Sequence, residues 1–418
     1  MMYHLSMATH SINGIKVRER CCGQVEFKSV AIDDELPPDH LARTLDRIVG
    51  SLDLKPFVRR SKSVVGNLGR PVLSPRMILT LWLYAIIDGV GSAREIERLT
   101  RAHVGYRWIV GDIGVAHETL SQFRAHQGEA FSQALNEVLA RLLQAGLLDL
   151  DIVAQDGPRI RANAGAPSFR SAPALEECRE HARLHLKAVL VQGNDPAVSI
   201  AVQAARVAKA RDYANRVETA INALSTLPES NENPRASTTD PDARVMKMGD
   251  GGFRPAYNAQ LAVAGSEDGG PRAIVGVLVT NVGSDMGSLA PMADDVKERT
   301  GELPRKVLAD SGHFKIADMA KLKERGVKPI VPPPRSRKQC KKIGVDEWRD
   351  AVMTHGDRRS FRRRSSLAEH ANAVLKGPYR LDKLLVRGLP RVTSVVILYS
   401  PCFTLHQNMD RLAKLIAC

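Results

Sequence analysis

The chain has 418 residues, 44% of them hydrophobic and 25% charged, with a net charge of +14. This length exceeds one ordinary domain and allows a sizeable core, so two or three domains of a soluble globular protein are expected. The longest strongly apolar stretch, Met77 to Ile87, is far short of a bilayer span, which argues against a membrane protein.

Met1 to Val30 mixes charge, Cys and His without an apolar run, so no secretory signal is read and a cytoplasmic location is expected. The cysteines at 21, 22, 178, 340, 402 and 418 form no CxxC pattern, which fits reduced thiols and no structural zinc. So basic a chain calls for a polyanionic partner, most commonly nucleic acid. The excess is concentrated: from Pro334 to Arg364 there are eleven basic residues against four acidic ones, half the net charge of the chain. Arg358, Arg359, Arg362, Arg363 and Arg364 close that tract, which could also be a solvated loop with no specific partner.

In chain order, the first ~150 residues read mainly as helix. Ser74-Pro75 is an N-cap followed by a first-turn proline, and the apolar pattern continues to Ile87. Gly89-Val90-Gly91 breaks it, and Ser92 is placed to cap a helix whose Ile96 and Leu99 share a face. Further helices are expected from near Glu118-Thr119 through Arg124, and from about Gln127 to Leu143. Short helices joined by glycine turns suit a helix-turn-helix DNA reader and a plain helical bundle about equally.

The pattern changes at Leu148. Leu150 to Ala154 is a strand-like run leading into Asp156-Gly157, and residues 174 to 224 return to helix. Pro228 to Pro241 is polar and proline-marked, a flexible surface segment in this reading. Strands are expected at Tyr257 to Ala264 and Ala273 to Thr280, joined as a hairpin through Gly265 to Gly270. Lys306 to Ala309 is a strand running into Asp310, followed by a helix over Ile316 to Glu324 and a strand over Val327 to Val331. The sum is a mixed α/β sheet with flanking helices and a helical block inserted into it.

Three carboxylates stand where metal chemistry would need them. Asp156 and Asp310 each end a strand, and strand ends in such sheets converge on one rim. Glu369 lies in a stretch, Ser366 to Lys376, that reads as a helix capped near Ser365 or Ser366, with Glu369, Ala373 and Lys376 along one face. Mg²⁺ is a hard ion that takes oxygen ligands, and two such ions roughly 4 Å apart can serve phosphodiester chemistry. Spacing alone leaves open that these acids merely cap turns. Asp285 follows the hairpin and reads equally as a turn cap. His313 and His370, beside Asp310 and Glu369, are expected to face solvent rather than the site.

An ordered set of motifs covers most of the chain. Its members are Leu36-Pro-Pro-Asp-His-Leu41, Leu73-Ser-Pro-Arg-Met77, Gly89 to Glu97, Thr119-Leu-Ser-Gln-Phe-Arg124, Asp156-Gly157 with Arg161-Ala-Asn-Ala164, Pro255-Ala-Tyr-Asn-Ala-Gln260, Ala309-Asp-Ser-Gly-His-Phe314, Glu369-His-Ala-Asn372 and Arg387-Gly-Leu389. In these the chain resembles the bacterial insertion-sequence DDE transposases, in the branch with a helical N-terminal domain and a helical insertion after the first catalytic Asp.

The resemblance implies a helical DNA-binding domain over 1–147 and an RNase H-like catalytic domain over 148–390, its insertion at about 170–245, with a helical tail over 391–418. It further implies Asp156, Asp310 and Glu369 as the catalytic and metal-binding triad, two Mg²⁺ or Mn²⁺ ions, and Lys376 on a terminal phosphate. The activity implied is strand cleavage at element ends followed by transfer into target DNA, by a homodimer on double-stranded DNA at the nucleoid. The same acids would serve a resolvase-like nuclease that cuts without joining, and an inactive descendant would only bind DNA.

Departures from the family pattern are Pro158 where a threonine is usual, Pro401 within the last helix, and an Arg before the Glu that falls out of register, with Arg362 and Arg364 near it.

Overall fold

The computed structural model describes residues 9–12, 15–18, 29–59, 71–191, 199–225, 227, 234–265, 270–333 and 354–417. The basic residues between Arg335 and Arg349, together with Cys21, Cys22, Cys340 and Cys418, lie outside them, as do residues 266–269 of the expected hairpin turn.

The N-terminal half is built from α1 (Leu41–Gly50), α2 (Lys55–Val58), α3 (Pro75–Ile87), α4 (Ala93–Ala102), α5 (Val104–Val110), α6 (His117–His126) and α7 (Gly128–Gln144). A short antiparallel pair, β1 (Thr9–Ile12) and β2 (Ile15–Arg18), precedes them, strands that the mainly helical reading of this half did not include. Pro75 starts α3, where a missing amide costs nothing, and every residue from Met77 to Ile86 is buried. That helix is therefore the centre of the half rather than a one-faced surface helix. Ser74 and Ser92 occupy N-cap positions, but neither hydroxyl makes a capping hydrogen bond.

Two of the ordered motifs meet at Arg124. Its guanidinium is buried, lies 4.8 Å from the centroid of the Trp82 ring and donates to the Gly91 carbonyl at 2.5 Å. The side chain thus ties α6 to the turn between α3 and α4, and does not reach outward toward a ligand.

The second half holds a mixed sheet. Three strands are parallel neighbours: β3 (Ile152–Asp156), β10 (Lys306–Leu308) and β11 (Lys328–Ile330), in the order β11-β10-β3. On the other side of β3 runs β8 (Phe253–Gly265), antiparallel to it, and β8 also pairs with β4 (Arg159–Arg161), β7 (Arg244–Lys247) and β9 (Arg272–Thr280). Ile152, Val153 and Ala154 are buried as a continuous apolar run, as expected of a strand covered on both faces. α10 (Leu289–Thr300) lies so close on β9 that a Cβ on Gly276 would meet the Met292 sulfur at 2.6 Å. α11 (Ile316–Glu324) makes the crossover between β10 and β11.

The inserted block is the pair α8 (Ala172–Val191) and α9 (Ile200–Ser225). They run back along each other: Gln203 donates to the Val189 carbonyl at 2.8 Å at one end, while Leu175 and Ala220 share a small core with Ala236 at the other. The polar segment after α9 is not wholly at the surface. β5 (Phe169–Arg170) pairs with β6 (Ala236–Ser237), and Ala236, Ser237 and Asp240 are buried. Asp240 turns inward because its Oδ1 accepts from the Tyr257 hydroxyl at 2.7 Å and the Gly388 amide at 3.0 Å.

The C-terminal helix Leu389–Gln407 is interior rather than a tail. One side packs on α3, α6 and α7 and the other on β9. Ser394 donates to the Arg124 carbonyl at 2.8 Å, and the Ile274 amide donates to Thr404 at 3.1 Å. The helix continues through Pro401, so that proline does not interrupt it. One apolar cluster consequently runs from Leu36 to Leu412 across both halves.

Candidate active site at the carboxyl ends of two parallel strands

Asp156 is the last residue of β3, and Asp310 follows β10 by two positions. The register Leu308↔Ala154 between these parallel strands brings both carboxylates to one rim of the sheet. Neighbouring strands lie about 4.8 Å apart, so two acids at adjacent ends feel each other's charge. The Asp156 carboxyl is accordingly held above the usual carboxylate range, chiefly by burial and further by Asp310, while the Gly157 amide and Arg364 act the other way. Asp310 is held below it, chiefly by its hydrogen bond from His313.

Each acid is held by specific partners. Asp156 Oδ1 accepts from the Gly157 amide at 2.9 Å and its Oδ2 from the Asn372 amide at 2.8 Å. Asp310 caps the short turn Ser311–His313: its Oδ1 accepts from the Gly312 amide at 2.9 Å and faces His313 Nδ1 at 2.8 Å. Glu369 Oε1 accepts from Arg364 at 2.5 Å and Oε2 from the Ser365 hydroxyl at 2.8 Å. The Arg364 guanidinium also lies 3.8 Å from Asp156, so one cation lies between the first acid and the third.

The helix carrying Glu369 differs from the sequence expectation. It does not begin at Ser365 or Ser366. The cap is Thr354, which forms a reciprocal capping box with Asp357 ahead of the helix His355–Arg364. A π-helical turn, Ser365–Glu369, joins that helix to His370–Lys376. A π turn holds one more residue than an α turn. With that extra residue, Arg364, five positions before Glu369, comes onto its carboxylate.

Asp156, Arg159, Asp285, Glu369, Asn372 and Lys376 line one open groove of about 950 Å³, with Lys247 on it as well. Lys376 is exposed overall, but the groove walls desolvate its ammonium enough to lower its pKa, against the pull of Asp156. Arg358, Arg359 and Arg362 are exposed on the preceding helix, whereas Arg363 donates to the Gly265 carbonyl at 3.0 Å. His313 is fully buried, contrary to a solvent-facing reading. His370 is partly exposed and lies against Phe403. Asp285 does not cap its turn through its side chain. It accepts from Arg159 at 2.9 Å, Asn258 at 2.8 Å and Gln260 at 2.5 Å.

Sequence reasoning missed Asn372, Gln260, Asn258 and Gln155. The signal for Asn372 was its place three residues after Glu369, which shares a helix face. The other three look like ordinary polar residues in strands until the fold buries them together.

The residues fit a divalent cation in donor type, being hard carboxylate oxygens, two of them on adjacent strand ends. Among the described residues, however, no three His, Cys, Asp or Glu side chains stand together as a metal centre. Glu369 is instead engaged by Arg364 and Ser365. No helix of the described residues is long and apolar enough to cross a membrane.

A family model for a transposase domain matches residues 30–126, and one for a transposase DDE domain matches residues 233–402. Asp310 and Glu369 fall inside the second match, while Asp156 and both inserted helices lie between the two. Searches of curated proteins and of solved structures returned no match. With a transposase domain in each half and acids gathered at the sheet rim, this chain belongs to the insertion-sequence DDE transposases.

Proposed function

We propose that the chain cuts DNA at the ends of its element and joins those ends to target DNA, using Asp156, Asp310 and Glu369 to hold two Mg²⁺ or Mn²⁺ ions in an RNase H-like domain. The observation that carries this reading is the pairing of β3 with β10, which sets Asp156 beside Asp310 at the sheet rim, where Asp156, Gly312 and Glu369 line one groove. The order of strands, with antiparallel β8 and β9 next to parallel β3, β10 and β11, supports the RNase H-like assignment.

Bound divalent ions would supply an activated water or 3′-hydroxyl and stabilise the leaving oxygen of the phosphodiester. The chain's own residues do the positioning. Asp156 ends a strand and Asp310 lies two residues past the neighbouring one, so the sheet sets where the two emerge. Asn372 holds the Asp156 carboxylate, and Arg364, lying between Asp156 and Glu369, is placed to meet a phosphate were Glu369 to hold a cation. Lys376, on the same groove, provides a second positive contact for the DNA backbone. The exposed Arg358, Arg359 and Arg362 extend that contact, and the helical N-terminal half provides a further DNA surface. Because two element ends must be processed together, the active species is a homodimer on double-stranded DNA, at the bacterial nucleoid.

The test is cleavage and joining of end-bearing DNA by the purified chain. Asp156→Ala, Asp310→Ala and Glu369→Ala are each expected to remove Mg²⁺-dependent cleavage while leaving DNA affinity largely intact. A variant that keeps more than trace activity removes its residue from the triad. Nicking by the wild type without joined products would place the chain with nucleases that cut and do not join.

A further inference from the structure

We propose that His313 is a positioning residue for Asp310, and that Asp285 sets it through Gln260. The proposal rests on the triad reading above. It comes from a buried chain of polar side chains beneath the groove: Gln155, Asn258, Gln260 and His313 are each 1% exposed or less. None of them belongs to the triad, and Asp285, at the end of the chain, is only 11% exposed.

The directions of these hydrogen bonds follow from chemistry. Asp285 is paired with Arg159 at 2.9 Å, so its carboxylate can only accept. Gln260 Nε2 faces Asp285 Oδ1 at 2.5 Å and Asn258 Oδ1 at 3.0 Å, and Asn258 is itself committed as a donor to Asp285 at 2.8 Å. The amide nitrogen of Gln260 therefore points to Asp285, and its oxygen must face the other way. That oxygen accepts from Gln155 at 3.0 Å and from His313 Nε2 at 2.9 Å. With Nε2 donating to Gln260, the ring is fixed at that edge, and Nδ1, 2.8 Å from Asp310 Oδ1, donates to the carboxylate as the second N–H of an imidazolium.

The consequence falls on Asp310. Among the described residues, both of its side-chain hydrogen bonds, from His313 and from the Gly312 amide, land on Oδ1. The second oxygen has no hydrogen-bond partner among the described residues and is left available to a cation. A carboxylate that would otherwise turn freely is held in one orientation before any cation arrives. Partners of this kind change metal affinity or activity by about 10- to 100-fold when removed.

The test uses the full chain, with Mn²⁺ affinity measured by electron paramagnetic resonance in the absence of DNA, cleavage of end-bearing DNA, and thermal unfolding. His313→Phe keeps the ring volume and removes both hydrogen bonds; it is expected to lose about 10- to 100-fold in Mn²⁺ affinity and in cleavage. His313→Asn retains a donor in the Nδ1 position and is expected to recover most of both. Asp285→Asn should fall in the same direction by a smaller factor. Wild-type Mn²⁺ affinity in His313→Phe, or equal impairment of the Phe and Asn variants, overturns the proposal and makes His313 a packing residue. If His313→Phe does not fold, Gln260→Glu decides: its carboxylate opposes Asp285, and an unchanged Mn²⁺ affinity overturns the proposal. Asp310→Ala run in parallel separates the two failures. If that variant binds and cleaves as wild type, the triad itself is wrong; if it is dead while His313→Phe is not, only the positioning role fails.

Discussion

Gly157 shows how tightly the residues around the first acid are set. A Cβ at this position would lie 1.8 Å from the Gln260 amide nitrogen and 2.8 Å from Asn258 Oδ1. The constraint is the close approach of the side chains beneath the turn. Gly157→Ala is expected to cost about 1–3 kcal/mol of stability, the usual penalty for forcing extra volume into a packed site. Because it displaces Gln260, it should also lower cleavage more than a stability loss of that size explains. Denaturant unfolding together with cleavage kinetics checks both, and a variant with wild-type values in each would mean that Gln260 is free to move. Pro158, the unusual neighbour of Asp156, accepts from the Ala259 amide at 3.1 Å through its carbonyl and so serves the sheet. The hydroxyl that does touch a site carboxylate belongs to Ser365.

Among elements, the π turn and the β3–β10 pair carry the site. The parallel pairing needs only short runs, since three residues of each strand suffice to set the register that aligns the two aspartates. The π turn sets the third acid. An alanine inserted after Ser366 adds a further residue to the π turn and, continued as α-helix, turns Glu369 by about 100° relative to the helix His355–Arg364, the rotation of one α-helical residue. Cleavage is expected to fall at least about 100-fold, with helical content by circular dichroism and DNA affinity near those of the wild type. Retained cleavage would show that Glu369 reaches the groove without this register. The elements themselves were largely legible from periodicity, including the strands ending at Asp156 and near Asp310. The helix around Glu369 was not, because its true cap, Thr354 with Asp357, lies well upstream and the extra residue looks like any other serine.

For the whole molecule, the helix Leu389–Gln407 joins the two halves into one apolar core, so the N-terminal helices are held in place relative to the groove. Of the arginines before Glu369, Arg358, Arg359 and Arg362 are exposed, while Arg363 and Arg364 are already engaged by Gly265 and Glu369. Replacing the exposed three by alanine is expected to weaken DNA binding and flatten its salt dependence, by up to about 0.9 in log–log slope for each phosphate no longer neutralised. An unchanged slope in fluorescence-anisotropy titrations across salt concentrations would assign that face to solvent.

The sequence by itself determined the kinds of element, the acids at strand ends, the basic balance and the ordered motifs that point to a DDE transposase. These depend on a residue and its near neighbours: period, turn chemistry and charge are local. Only the tertiary structure decided that β3 and β10 are adjacent, that Arg364 lies between Asp156 and Glu369, that His313 is buried on Asp310, and that the last helix carries Pro401 through the core. The pairing of β3 with β10 and the approach of Arg364 to Asp156 join groups far apart in the chain, while the burial of His313 and the course of the last helix depend on the walls around them. Such contacts are chosen by packing and by the need to satisfy buried polar atoms. Asp156, Asp310 and Glu369 could thus be named from the chain, whereas Gln260, Asn372 and the π turn, on which their placement depends, became visible only once the chain had folded around them.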